Sequence, residues 1–205
     1  MADGRPRVSI ALVHYPVRGR RGEVTATSLT PLNVHDLARV ARTYDLEQVW
    51  VVTPLPSQQA LLARIGLHWS TGPGREYNPS RREALELVRP AANLNEVIGE
   101  AAAGGVMPKL VATGARGHAK GIGFAALRRD IWTGEEPYLL LFGTGWGLTP
   151  EIMEECDRIL EPIAGRAGYN HLPVREAAAI IIDRLLGAHE APDGTVLATD
   201  EGKER

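Results

Sequence analysis

Residues 139–151 read Leu-Leu-Leu-Phe-Gly-Thr-Gly-Trp-Gly-Leu-Thr-Pro-Glu. An apolar run meets three alternating glycines, Gly143, Gly145 and Gly147, and a helix-start signal, Thr149-Pro150, follows at once. Without a Cβ, the backbone here can approach a small molecule closely. The same pattern also suits a tight turn that needs glycine dihedrals for its own sake. A dinucleotide site wants G-x-G-x-x-G, but the third glycine falls one position early and Leu148 takes its place. That fingerprint normally opens its domain, whereas Gly143 lies in the last third of the chain. A P-loop needs a lysine on the phosphates, and none lies between Lys120 and Lys203. Glu151, Glu154 and Glu155 follow instead, and acids in a helix's first turns repel phosphate. The chemistry points to a neutral or cationic nucleoside.

Two further loops carry glycines. One runs from Gly114 to Gly123 after Thr113 and holds Arg116 and Lys120. The other spans 161–172, with Gly165 and Gly168, and enters Tyr169-Asn170-His171-Leu172-Pro173-Val174-Arg175. Three such loops can form one pocket. His14 and the pair His35-Asp36 are candidates from the amino-terminal half to face the same cleft. Adjacent residues on a helix do not face each other, so Asp36 reads as structural. Cys156 is the single cysteine, which excludes an intrachain disulfide and a cysteine-rich metal site. No metal is expected.

These residues need a scaffold. The chain has 205 residues, 44% hydrophobic and 23% charged, the composition of one globular domain. No apolar run reaches the length of a membrane span, and the N-terminus shows no signal-peptide segment, so a cytoplasmic location is expected. Strand 8–13, a helix capped by Thr30-Pro31, strand 49–52, helix 57–69, a break at 71–74 and a short helix from Pro79 follow in order. A strand over 85–88 stopped by Pro90, helix 93–103, strand 110–112, helix 124–131 and strand 138–142 continue the alternation. A helix from Thr149, a short strand at 158–160 and a final helix between Pro173 and Gly187 complete it. Such alternation predicts an α/β fold, a parallel sheet with helices on both faces. Ligands then bind at the carboxyl ends of strands, where the loops at His14, Thr53, Thr113 and Gly143 begin. The final helix is apolar on most sides, which suggests a second copy of the chain as its cover.

Net charge is −2, which by itself argues against a general nucleic-acid binder. The tail after Gly187 is acidic and the remaining body is slightly basic. Residues 1–187 read as one domain and 188–205 as an acidic, mobile tail. Two acid-free stretches concentrate positive charge: Arg5, Arg7, Arg18, Arg20 and Arg21, and then Lys109, Arg116, Lys120, Arg128 and Arg129. Such patches attract phosphates whatever the global sum.

At this point the sequence resembles the SPOUT superfamily of S-adenosylmethionine-dependent RNA methyltransferases. It is most similar to a small bacterial branch found alone or fused to a tRNA guanine-N1 methyltransferase. The resemblance rests on segments 139–148, Leu160-Glu161-Pro162-Ile163, and 169–175 before the Ala-Ile-rich helix. In the amino-terminal half it rests on His14-Tyr15-Pro16, Ser28-Leu29-Thr30, 34–39 and 51–55. It implies a C-terminal trefoil knot (the α/β knot), a homodimer and S-adenosylmethionine as cofactor. The implied cofactor residues are Thr113 and Gly114, then Leu141, Phe142, Gly143, Thr144, Gly145, Trp146, Gly147 and Leu148. Ile163, Gly165, Tyr169, Asn170, His171, Leu172 and Val174 complete that set. Pro173 stands where the branch often has a small polar residue. Asn170, His171 and Arg175 are the candidate catalytic residues. Arg18, Arg20, Arg21, Arg116, Lys120 and Arg128 are the candidate contacts to a tRNA or rRNA partner. Two rivals stay open: a dinucleotide-binding oxidoreductase, and a non-catalytic RNA-binding or dimerisation module of the same fold.

Overall fold

Strand β1 (Val8–Val13) is buried along its whole length, as a strand covered on both faces must be. The computed structural model describes residues 5–102 and 105–188. After β1 come a short hairpin, β2 (Val17–Arg18) and β3 (Val24–Thr25), then α1 (Pro31–Thr43), β4 (Val49–Val52), α2 (Pro56–Ser70), α3 (Gly74–Tyr77) and α4 (Pro79–Leu85). The chain continues with β5 (Val88–Ala91), α5 (Leu94–Ala101), β6 (Lys109–Ala112), β7 (Gly121–Ile122), α6 (Phe124–Thr133) and β8 (Tyr138–Gly143). It ends with α7 (Pro150–Glu155), β9 (Arg158–Leu160) and α8 (Val174–Leu186). Seven strands form one sheet in the order β5-β4-β1-β8-β6-β9-β7, and all its pairings are parallel.

Alternation along the strands builds two cores. Ile10, Leu12, Leu140 and Phe142 face Leu37, Leu127, Ile131, Ile182 and Leu185. Ala11, Val13, Leu139 and Leu141 face Val97, Leu148, Ile152 and Ile159 on the other side. Burial of each large aliphatic side chain is worth about 1.5–3 kcal/mol. Helix starts follow their caps: Thr30, Asn93 and Thr149 accept from the backbone N–H groups of Asn33, Glu96 and Ile152.

The structure departs from the sequence expectations in four places. Strand β5 runs through Pro90 instead of stopping before it. β5 is the sheet edge, with Pro90 opposite Val51. The Leu87 and Ala91 carbonyls accept from Val49 N and Thr53 N, so Pro90 points its missing N–H outward at no cost. The polar segment after His14 contains the β2–β3 hairpin, and the loop after Gly114 contains β7. The break at 71–74 leads into the short helix α3.

Helix α8 is apolar on most sides, as its sequence reads. One side of it packs within the chain on α1, α6 and β8. Ala178, Ile181, Ile182 and Leu185 are buried, and Ile180 and Leu186 are half-buried. Arg128, expected to meet RNA, is buried against this helix. Its guanidinium donates to the Leu185 and Gly187 carbonyls at 2.8 and 2.9 Å, and Trp132 Nε1 donates to Leu185 O at 2.9 Å. Orphan carbonyls at a helix end need such donors. Arg128 is therefore a helix-end partner, out of reach of a phosphate. The tail beyond Ala188 lies outside the described residues.

Candidate active site

β1, β8, β6 and β9 are consecutive in the sheet. Their carboxyl ends place the segments after His14, Gly143, Thr113 and Leu160 side by side. A cleft of about 1730 Å³ opens there, larger than the ~300–1,000 Å³ of a typical small-ligand pocket. It has room for a nucleoside and for part of a second molecule. Thr53, also at a strand end, does not line it. β4 stands on the far side of β1, and the Thr53 hydroxyl accepts from Leu55 N instead.

The three alternating glycines turn out to be needed by the turn itself. Gly145 and Gly147 have φ of +61° and +97°, the left-handed region where a Cβ is strained. A Cβ on Gly143 would collide with Leu148 N. The conformational reading thus accounts for all three, although all three also line the cleft. The turn is strapped down by the amino-terminal hairpin. Arg18 N donates to Gly147 O at 2.9 Å, and Trp146 N donates to Arg18 O at 3.2 Å. A bridge joins Val17 to Leu148. This strap was not legible in the sequence, because a two-residue strand carries no periodicity.

Beneath the turn lies a hydroxyl relay. Thr144 Oγ1 donates to Val13 O at 2.9 Å. Its one proton is then spent, so Thr27 Oγ1 must donate to Thr144 Oγ1. Thr27 Oγ1 must in turn accept from His14 Nδ1, 2.8 Å away. This fixes the Nδ1–H tautomer and leaves Nε2 a bare acceptor. Nε2 is buried with no partner. Burial pushes the His14 pKa down to about 4, so the ring is neutral at physiological pH.

Of the residues implied for a cofactor, most line the cleft: Thr113, Gly114, Phe142, the whole 143–148 turn, Ile163, Asn170, His171, Leu172 and Val174. Three do not. Leu141 points to the opposite core, because alternate residues of a strand face opposite sides. Gly165 and Tyr169 stand off the wall, Tyr169 being exposed with its ring 5.3 Å from that of His171. Thr113 spends its hydroxyl on Leu141 O at 2.8 Å. Asn170 Nδ2 donates to Ala115 O at 2.9 Å, which ties the third loop to the first.

The candidate catalytic and RNA residues divide. His171 is exposed on the cleft. Arg175 lines it too, but pairs with Asp36 at 3.2 Å and Glu176 at 2.9 Å. Arg18, Arg116 and Lys120 line the cleft, and Arg20 and Arg21 are exposed in the hairpin turn. Arg5 and Arg7, from the same basic stretch, pair with Asp45 and Glu47. They sit at the opposite end of β1. His35 is not at the cleft, because its ring packs 5.6 Å from that of Trp69. The sequence reading missed Thr27, Ser28 and Asn33, which the hairpin and the start of α1 bring to the rim. It also missed Cys156 and Asp157, while Glu154, read from the sequence as an acid behind the glycine turn, lines the cleft too. Burial and the neighbouring Asp157 and Glu155 push the Cys156 thiol up to about 12, which disqualifies it as a nucleophile.

This arrangement suits an unphosphorylated nucleoside. A Cβ added to Gly114, Gly117, Gly147 or Gly168 would meet nothing within 4 Å, so bare backbone faces the cleft from all three loops. Phe142, Leu148, Ile163 and Leu172 add apolar surface, and Glu154 favours a positive group, whereas Asp157 is engaged by Leu110 N and Lys109.

A family described as SAM-dependent RNA methyltransferase matches residues 7–187. A tRNA (guanine-N(1)-)-methyltransferase of Oleidesulfovibrio alaskensis is 47% identical over 178 residues, 86% of this chain and 41% of that protein. An uncharacterized protein of Aquifex aeolicus is 41% identical over 179 residues, 87% of each chain. The chain thus spans about two fifths of the first relative and most of the second. The SpoU methyltransferase AviRb of Streptomyces viridochromogenes, solved in complex with AdoMet, superposes with a TM-score of 0.53 at 17% identity. That likeness covers 89% of this chain and 57% of AviRb, and at such identity it shows the fold alone. A match over the whole sheet and all three cleft loops makes this chain a member of the S-adenosylmethionine-dependent RNA methyltransferase family.

Proposed function

We propose that this chain transfers a methyl group from S-adenosylmethionine to a nucleotide of tRNA or rRNA. We further propose that it works as a cytoplasmic homodimer, a single domain through residue 187 with an acidic tail appended. The observation that carries the reading is the convergence of three glycine-bearing loops, with bare backbone and apolar walls, around a glycine turn that is followed by acids and not by a P-loop lysine. The named activity of the first relative makes N1 of guanine in tRNA the first acceptor to test.

The strand order supports a trefoil knot. β8 inserts between β1 and β6 although it follows β6 and β7 in sequence, and β9 inserts between β6 and β7. Interleaving of this kind is what a knotted thread requires. Support for the dimer comes from Trp146, Tyr169 and Leu172, three exposed large apolar side chains on or next to the cleft.

S-adenosylmethionine supplies an electrophilic methyl carbon on a cationic sulfur. The chain supplies placement, which can provide much of the acceleration of an in-line displacement. Main chain at Gly114, Gly143 and Gly147 holds the nucleoside, and Phe142, Leu148, Ile163 and Leu172 exclude water. Neutral His14 sits beneath the turn without repelling a positive sulfur. Asn170 closes the third loop on the first. His171, at the cleft wall, can accept a proton from the acceptor nucleotide. Arg175, held by two carboxylates, orients the third loop's end. Arg18, Arg116 and Lys120 meet RNA phosphates at the mouth.

Calorimetric titration tests the reading first. S-adenosylmethionine and its demethylated product should bind and NAD should not. Incorporation of labelled methyl into bulk tRNA or rRNA tests the reaction. Binding of NAD, or an absence of methyl transfer to either RNA by a protein that binds the donor, would defeat it.

A further inference from the structure

A second polar cavity, of about 230 Å³, lies between α1 and α4 and is lined by Arg39, Asn78, Ser80 and Arg81. It shares no residue with the cleft. The arginines around it are treated unequally. Arg42, one turn beyond Arg39, is bonded to Glu83 at 2.7 Å. Arg82, next to Arg81, pairs with Glu86 at 3.7 Å. Arg39 and Arg81 themselves have no carboxylate in ion-pair range among the described residues. The acids closest in sequence on these two helices, Asp36 and Glu83, are committed to Arg175 and Arg42.

Arg81 is also held in place. Its guanidinium lies 5.1 Å from the centre of the Trp69 ring, and the rings of His35 and His68 meet Trp69 edge-on at 5.6 and 5.3 Å. Its Nε is buried without an acceptor, as is that of Arg82, so only the outer guanidinium nitrogens of Arg81 are left to meet a ligand. Asn78 spends Oδ1 on Arg81 N, which leaves its amide NH₂ to donate. Two cations without carboxylate partners and the polar groups of Asn78 and Ser80 around one small cavity suit an oxyanion.

We propose that this cavity binds a phosphate group and that an RNA phosphodiester supplies it while the strand's target nucleotide occupies the cleft. The RNA half rests on the function proposed above. Asn33, on α1, lines the cleft, and Arg39 stands six residues further along the same helix, about 9 Å along its axis. A strand of a few nucleotides covers that span.

The test uses the full chain with inorganic phosphate and with bulk tRNA as probes. Phosphate should shift the Arg81 Nε–H resonance in ¹⁵N spectra of the wild type and leave it unmoved in Arg39→Gln. Arg39 is exposed, so this variant keeps the fold, whereas Arg81→Gln also loses the Trp69 contact and serves as a second comparison. In tRNA binding, Arg39→Gln should flatten the slope of log affinity against log salt by about one. Titration with S-adenosylmethionine should be unchanged in the same variant. A phosphate shift with an unaltered tRNA slope would overturn the RNA assignment in favour of free phosphate. An unmoved Arg81 resonance in the wild type would overturn the site. Loss of all tRNA binding in the wild type, with the phosphate response intact, would instead defeat the RNA reading of the cleft.

Discussion

His14 makes the buried relay measurable. Its ring is 1% exposed, and burial takes its pKa from 6.5 down to about 4. The folded pKa lies below the unfolded one. As pH falls through 6.5 the unfolded chain takes up a proton that the folded chain refuses. Stability is therefore full above the unfolded pKa and is lost progressively towards the folded one. Linkage with these two values gives a loss of about 2 kcal/mol between pH 7 and pH 5 from this residue. For a chain of this size that is about 4–8 °C in Tm. The assay is urea unfolding at both pH values for the wild type and for His14→Gln, whose amide does not titrate. Other groups cancel in the double difference, so the wild type should lose about 2 kcal/mol more than the variant. Equal losses in the two proteins would mean that the ring is not held neutral, and the deduced tautomer would fall with it.

Other consequences are equally specific. Gly147→Ala should weaken S-adenosylmethionine binding by calorimetry and cost about 1 kcal/mol or more of stability, because its φ of +97° strains any Cβ even where space is open. Arg128→Ala should lower stability by about 2 kcal/mol or more in urea unfolding while leaving the salt slope of tRNA binding untouched, since it removes buried donors to two α8 carbonyls. Arg116→Ala should do the reverse, flattening the slope by about one with no change in stability, because that side chain is exposed at the cleft. Cys156→Ser should retain methyl transfer, and the wild-type thiol should react slowly with iodoacetamide at pH 8, because its pKa is pushed up to about 12.

How much of this was legible depended on the range of the signal. Strong local patterns located β1, β4, β8 and α1, where a buried apolar run or a Thr30-Pro31 cap speaks for itself. Two-residue strands such as β2 and β7 have no pattern to read. Pro90 misled because proline is forbidden only where its N–H would be used, and edge position is decided by partners. The three glycine-bearing loops were recognisable as segments. Their shared cleft was expected from the alternation of strands and helices, and the strand order β1-β8-β6-β9 supplies it.

Charge showed the same division. The sequence grouped Arg5 with Arg18 and Lys120 with Arg128, as neighbours along the chain. Folding sends Arg5 to Asp45 at one end of the sheet and buries Arg128 under α8, leaving Arg18 and Lys120 on the cleft. The chain's own letters determined the longer elements, their caps, the α/β alternation and a glycine-bearing, acid-flanked loop hostile to phosphate, because dihedral preference and hydrophobic period act between near neighbours. Tertiary structure alone decided the Thr27–His14–Thr144 relay, the hairpin strap and which cations remain free. Those depend on residues up to 131 positions apart, as Thr144 and Val13 are, and no local rule connects them.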